Sequence, residues 1–455
     1  MRVIALIDGE HHPGVARAAL DRLASEHDVV AVLFVGGEEK VSRAVLDRPA
    51  EHYGRDVEVA GGSAREALAA LAGRVEAEAV ADLSGEPVLE PDARLELAAV
   101  ALHAGLEYRS PGVRIAPPPR ERIEAAVPLV EVIGTGKRTG KTAVAGHLAT
   151  LLRARGHEPV IVSMGRGGPP LPQLVAAGER LDSERLLEIA RAGRHAASDY
   201  LEDALVTGVA AVGCRRCGEG PAGETYDSNL IEGVRLALTL DPDVVLVEGS
   251  GAAVPPVEAD RRICVTTAPL AERQALSHLG PYRLLGADLV VLLGADAVPV
   301  PVREDVERRI AEWSGSGTVV PCRLEPEPVG ELPRGARAAF FSTAPAGFER
   351  LRDRLARDGV ELCVASANLA RRSELERDLA TAVRERCDLF LTELKAASIE
   401  LVGEEAQRRG VPFALVRNRP VSLPGEPDLD ERLERLHDEA CAAARPQPAA
   451  ALEEQ

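Results

Sequence analysis

The stretch VPLVEVIGTGKRTGKT, residues 127–142, decides the fold, together with the helical pattern of 143–155 that follows it. A β-like apolar run, a glycine-rich loop and a helix, in that order, make a phosphate cradle. Glycines let backbone N–H groups converge on oxygen atoms, and the helix N-terminus adds the positive end of its dipole. The nucleotide-binding candidates are Gly134, Thr135, Gly136, Lys137, Arg138, Thr139, Gly140, Lys141 and Thr142. In this pattern Lys141 reaches the β and γ phosphates, and the Thr142 hydroxyl holds magnesium. Lys137 and Lys141 are the loop's candidate catalytic cations. The strict spacing G-x-x-x-x-G-K-T wants its first glycine at 135, where this chain has Thr135 between Gly134 and Gly136, so the loop starts one residue early.

A second apolar run, DVVLVEGSG at 243–251, ends in Glu248. A carboxylate there sits at the carboxyl edge of the sheet, where open α/β folds bind ligands. It approaches magnesium directly or through water. Glu248 is thus a metal and catalytic candidate. No Asn-Lys-x-Asp guanine signature occurs, which favours ATP. The loop and the acid strand both resemble dethiobiotin synthetase, whose matching strand ends in Val-Glu-Gly-Ala-Gly-Gly.

Outward from this core the chain alternates β-like runs with helical patterns, which predicts an α/β protein with mostly parallel sheets. Its 455 residues exceed what one core supports, so two or three domains are expected. The prolines at 117–119 read as one linker, and EPEP at 325–328 as a second. The expected organisation is an N-terminal α/β domain at 1–125, a P-loop NTPase domain at 126–330, a C-terminal α/β domain at 331–445 and a frayed tail at 446–455. The start, MRVIALIDGEHH, reaches Asp8 too early for a signal peptide and reads as a first strand.

Composition limits the function further. No run of about 18 apolar residues suggests a membrane span. A formal charge of −18 argues against nucleic acid as a partner. Seven scattered cysteines, an odd number, fit a reducing cytoplasm. A homodimer is the base-rate expectation. Lysine occurs only at Lys40, Lys137, Lys141 and Lys395 in an arginine-rich chain, so the few that remain mark places where a compact point charge is needed.

Several segments combine Arg with Gly. SMGRGGP at 163–169 puts Arg166 at the same sheet edge as Lys141, a candidate for catalysis and substrate binding. GCRRCGEG at 213–220 carries Arg215 and Arg216 in what reads as a glycine-flanked loop. Their guanidinium forks suit phosphate and carboxylate oxygens. Cys214 and Cys217 lack a second pair at zinc-knuckle spacing, and structural burial is the expectation. Asp199 and Asp203 share a helix face in HAASDYLEDA, residues 195–204, where they serve magnesium, orient Arg groups or, as the expected outcome for one or both, pair with surface Arg.

Together with IDGEHHP at 7–13, VEGSGAAVPPV at 247–257, LGPYRLLGADLVV at 279–291 and TELKAASIELV at 392–402, these segments resemble the cyclic 2,3-diphosphoglycerate synthetase family over nearly the whole chain. The resemblance implies ATP-dependent intramolecular ring closure of 2,3-diphosphoglycerate, with ADP and phosphate as products. Two phosphates and a carboxylate require several cations. Asp8 and His11 after the first strand, with Glu10 beside them, and Lys395 after 388–391, join Arg166, Arg215 and Arg216 as substrate candidates. The first and third domains are expected to close over the P-loop face and exclude water from an activated anhydride. A kinase acting on a phosphorylated acid and a regulatory ATPase moving a protein partner are the alternatives.

Overall fold

Alternating strands and helices assemble into two sheets in the computed structural model, which describes residues 1–179, 181–395 and 397–444. The tail expected to fray, 446–455, lies outside the described residues. The first sheet holds β1 (Arg2–Ile7), β2 (Asp28–Phe34), β3 (Glu58–Val59), β4 (Ala79–Asp82), β5 (Glu107–Ser110) and β6 (Val113–Ile115) in the order β3-β2-β1-β4-β5-β6. All pairs are parallel except β5–β6.

The second sheet is built from β7 (Leu129–Gly134), β8 (Pro159–Gly165), β9 (Gln173–Val175), β10 (Ala210–Cys217), β11 (Asp227–Ser228), β12 (Val244–Glu248), β13 (Arg261–Thr267), β14 (Leu289–Leu293) and β15 (Val319–Pro328), and continues through β16 (Arg337–Phe341), β17 (Glu361–Ser366), β18 (Leu389–Thr392) and β19 (Phe413–Ser422). Its order is β11-β10-β8-β12-β7-β13-β14-β15-β19-β18-β16-β17, with β9 beside β10. The strands from β10 to β15 run parallel, as do those from β19 to β17. The P-loop strand β7 lies in the middle, and β12, which ends in Glu248, is its neighbour.

The two parallel stacks join at the antiparallel pair β15–β19. This corrects one expectation: EPEP at 325–328 is the end of a strand, not a linker. Proline lacks an N–H, but here the ladder does not need one. Val329 N–H donates to Leu415 O and Leu423 N–H to Pro321 O, so the odd positions of β15 carry the cross-strand bonds. Pro326 and Pro328 fall between them, and Pro420 sits opposite Leu324 at the same parity. The two glutamates face arginines, Glu325 opposite Arg419 and Glu327 opposite Arg417.

The outer units attach by different surfaces. The helix Pro91–His103 buries every residue from Leu97 to Leu102. It has no apolar–polar division because it is covered on two sides. One side is the first sheet. The other is the helix pair Gly280–Leu285 and Val300–Trp313, whose Leu284, Ile310 and Trp313 share its core. At the other end of the chain, the helix Leu429–Ala444 sets Leu429, Leu433 and Leu436 against Val144, Leu148 and Leu152 of the P-loop helix, Lys141–Ala154. Among the described residues no helix is long and apolar enough to cross a membrane.

Candidate active site

The loop after β7 is shaped by two glycines that tolerate no replacement. A Cβ at Gly134 would collide with the Thr139 hydroxyl and crowd Lys141. Gly140 has φ +93 and faces Leu293 where a Cβ would go. Thr135, at the position where the strict pattern has glycine, donates its buried hydroxyl to Thr266 Oγ1 at 2.8 Å. The early glycine therefore follows from packing: close approach is required at 134, while 135 has room for a side chain. Lys137 and Arg138 stand exposed at the loop tip, with Arg138 at φ +64.

Lys141 is buried and donates to Gly136 O and Gly251 O, both at 3.1 Å. Burial lowers its pKa, against the pull of Glu248 and Asp199. Two carbonyl oxygens thus hold the ammonium group where phosphate oxygens would take it. Thr142 donates to Glu248 Oε1 at 2.7 Å, so the two expected metal residues meet at the end of β12. Burial, with the charge of Asp199, pushes the Glu248 carboxyl up to about 7, opposed by the Thr142 hydrogen bond and by Lys141.

Asp203 joins this acid. It is fully buried on the helix Asp199–Thr207 and accepts a hydrogen bond from the Ser163 hydroxyl at the end of β8. Burial and the nearby Glu248 raise its pKa well above the carboxylate range. The expected pairing of Asp203 with a surface Arg is therefore wrong. Glu248 Oε2 and Asp203 Oδ1 are both buried without a hydrogen-bond partner among the described residues. Such orphaned oxygens beside a threonine hydroxyl suit a hard cation with oxygen ligands. No group of three or more His, Cys, Asp or Glu side chains forms a closed metal cage among the described residues. One or two carboxylates suffice when phosphates and water complete the shell.

A cavity of about 920 Å³ opens over this edge. Arg166, just past β8, lines it with 53% of its side chain exposed and binds Glu219 at 3.2 Å. Lys395, from the far end of the chain, lines it too and binds Glu202 of the 199–207 helix at 3.0 Å. Burial works to lower the Lys395 pKa, but Glu202, Asp199 and Glu393 outweigh it and hold the group above its ordinary value.

Four sequence candidates lie elsewhere. Arg215 and Arg216 are on strand β10, not in a loop, so they point to opposite faces. Arg215 is spent on Asp227 at 3.0 Å and on Pro170 O. Arg216 is buried and bonded to Glu219 at 2.6 Å, Ser250 O at 2.8 Å and Gly218 O at 3.0 Å. Neither lines the cavity. Arg216 instead braces the segment that offers Gly251 O to Lys141. Asp8 and His11 also lie outside it, since no residue before Lys137 contributes to its lining. The Asp8 carboxylate is saturated by the N–H groups of Glu10, His11 and Gly85 and by His11 Nδ1 at 2.7 Å. It organises the turn after β1. Cys214 is buried and Cys217 exposed, and three residues apart on a strand they face opposite ways and do not converge on a metal.

The sequence reading missed the cavity wall supplied by β19, with Arg417, Asn418 and Arg419, and by Glu393. Asn418 donates to Glu393 at 2.7 Å. A signal was present: the alternating charges EPEP and RNRP, at 325–328 and 417–420, match as facing strands.

A central parallel sheet, a glycine-rich loop leading into a helix, a lysine poised over two carbonyls and a buried threonine–carboxylate pair define a P-loop nucleotide-binding protein. Family models narrow this. The cyclic 2,3-diphosphoglycerate synthetase P-loop domain matches residues 129–321, the N-terminal domain 2–115 and the C-terminal domain 328–419. Proteins named cyclic 2,3-diphosphoglycerate synthetase from Rubrobacter xylanophilus and Thermococcus gammatolerans are 42% and 38% identical to it, over 93% and 95% of this chain and 95% and 96% of their own lengths. One from Methanothermobacter thermautotrophicus is 36% identical over 97% of both chains. The chain belongs to the cyclic 2,3-diphosphoglycerate synthetase family.

Proposed function

We propose that this chain is a cytoplasmic enzyme that uses ATP to close 2,3-diphosphoglycerate into its cyclic anhydride, releasing ADP and inorganic phosphate. The observation that carries the reading is the shared cavity, in which the P-loop and the C-terminal cation Lys395 face one space. Family membership supplies the substrate; the geometry supplies the means. A phosphate oxygen of the substrate attacks the γ-phosphorus of ATP and ADP leaves, giving a mixed anhydride. An oxygen of the second substrate phosphate then attacks the inner phosphorus, and inorganic phosphate leaves as the ring closes.

Lys141, drawn off Gly136 O and Gly251 O, follows the β and γ oxygens and stabilises their developing charge. Lys137 offers a second cation at the loop tip. Thr142 and Glu248 would hold magnesium, with Asp203 behind them. When bound, magnesium neutralises the phosphate oxygens of the nucleotide. Arg166 and Lys395 hold substrate oxygens, and the β18–β19 wall excludes water, which would otherwise hydrolyse the anhydride. Phosphorus NMR of a mixture of protein, ATP, magnesium and 2,3-diphosphoglycerate tests the proposal. A cyclic anhydride with one phosphate per ADP is expected. A phosphorylated acid without ring closure would make the protein a kinase, and ATP hydrolysis indifferent to the acid would remove the substrate assignment.

A further inference from the structure

Arg417 and Arg419 lie two residues apart on β19, on one face, and both line the cavity. Behind them stands Glu327 of β15, only 7% exposed. It accepts from Arg417 Nη2 at 3.0 Å, Arg419 Nε at 2.9 Å and Arg354 Nη1 at 3.0 Å. Burial alone would raise the Glu327 pKa, but Arg419 and Arg417 outweigh it and hold the group below its ordinary value. Glu325 nearby is taken by Arg323 at 2.7 Å and stands 3.7 Å from Arg419. Four guanidinium groups therefore share two carboxylates, leaving surplus positive charge on this wall in a chain whose net charge is −18.

The surplus has open hydrogen-bond donors. Arg417 Nη1 makes only a long contact, 3.4 Å to Val206 O. Arg419 meets Glu327 through Nε, leaving Nη1 without a partner among the described residues. About a third of each side chain is exposed, at 35% and 36%. Of the other carboxylates lining the cavity, Glu393 accepts from Asn418 and Thr343, Glu202 pairs with Lys395, and the charge of Asp199 acts on Lys395 and Glu248. Guanidinium groups held from behind, each with one terminal nitrogen making at most a long contact, are preorganised for a tetrahedral or planar oxyanion.

The nucleotide does not require this pair, because the P-loop backbone and Lys141 already serve its terminal phosphates. The substrate does. Its two phosphates and carboxylate need several cations, and Arg215 and Arg216 do not reach the cavity. We infer that Arg417 and Arg419 form an oxyanion subsite for the phosphorylated acid, with Glu327 as the residue that positions them. The inference rests on the proposed function and names the wall from which that substrate is held.

Titration calorimetry of 2,3-diphosphoglycerate into the ADP-loaded protein tests it, alongside steady-state kinetics. Arg417→Gln and Arg419→Gln should each weaken acid binding about tenfold, the scale of one charge-assisted hydrogen bond. Nucleotide affinity should change less than twofold. Arg419→Lys should recover part of the loss, since charge returns without the fork. Glu327→Gln should raise the KM for the acid more than it lowers kcat. Because Glu327 is buried that variant risks the fold, so the partly exposed arginines carry the decision. Equal losses for acid and nucleotide would reassign the pair to ATP, and unchanged acid affinity in both arginine variants would overturn the subsite. If the wild type forms cyclic product while the variants bind acid normally, this inference fails and the proposed function stands. If the wild type forms no cyclic product but the variants still lose acid binding, the reverse holds.

Discussion

The N-terminal and C-terminal units each place a candidate substrate residue just past a parallel strand, Asp8 after β1 and Lys395 after β18. Only Lys395 opens into the P-loop cavity. The C-terminal unit adds strands to the P-loop sheet itself through β15–β19, which carries its strand ends over the nucleotide edge. The N-terminal unit keeps its own sheet and attaches through the apolar helix Pro91–His103. A residue at a strand's carboxyl end has the right local address for ligand binding, but whether it reaches a given site depends on which surface the unit uses to dock. In this structure Lys395 of the C-terminal unit lines the P-loop cavity, whereas Asp8 and His11 of the N-terminal unit do not.

The largest effect should come from the side both units would serve. Lys141→Ala removes the one buried cation held over the loop carbonyls, and kcat should fall at least 100-fold, about 2.7 kcal/mol of barrier. Single-turnover ATP hydrolysis measures it, and a loss under tenfold would break the assignment.

Next comes Glu248→Gln, with a clear pH signature. The carboxyl is pushed from 4.5 up to about 7, so the native state binds its proton more tightly than the unfolded chain. Its contribution to the stability of the nucleotide-free protein is present below pH 4.5 and is lost as pH rises through about 7. Thermal melts from pH 4.5 to 8 should show wild type losing ground to Glu248→Gln across that window, by up to about 3 kcal/mol. Magnesium with ATP should reverse the difference, since a cation favours the ionised form. Parallel melting curves at every pH would contradict the buried acid.

The comparison of the outer units is tested directly by Lys395→Ala beside Asp8→Asn. Lys395→Ala should raise the KM for the acid about tenfold, near 1.4 kcal/mol. Asp8→Asn should leave both KM values within about twofold yet lower the melting temperature, because it removes the charge from a buried acceptor of several donors, at a cost of about 1.5–3 kcal/mol. An Asp8 variant with the larger KM change would mean that the N-terminal unit swings in during turnover.

The smallest contrast lies within one strand. Arg215→Ala, on the exposed face, should change stability by no more than about 0.5 kcal/mol. Arg216→Ala should cost more, since it frees Ser250 O and leaves Glu219 to Arg166 alone. Chemical denaturation of the two variants separates them, and equal midpoints would argue against the bracing role of Arg216.

Local chemistry was legible in the residues themselves. The loop at 134–142, the acid at the end of β12 and the α/β alternation each rest on a few adjacent positions, and an early glycine at 134 already signalled where the backbone is crowded. Charge alternation across EPEP and RNRP was legible too, but proline hid the strand, because its missing N–H disqualifies a ladder only at bonded positions. The segment GCRRCGEG at 213–220 read as a loop because its glycines and paired arginines masked the end of strand β10, Ala210–Cys217.

Tertiary structure alone decided the meeting of distant segments: Lys395 with Glu202, Arg417 and Arg419 with Glu327, Asp203 with Glu248. None of these pairs is near in sequence. Their approach depends on β19 zipping antiparallel onto β15 and on the 199–207 helix packing across β8, and such long-range pairings gain their free energy only when the sheet is assembled. The backbone geometry of a phosphate loop is written within nine residues; the wall that faces it depends on β18 and β19, some 250 to 290 residues further along the chain, and no local pattern specifies which of their side chains will close the site.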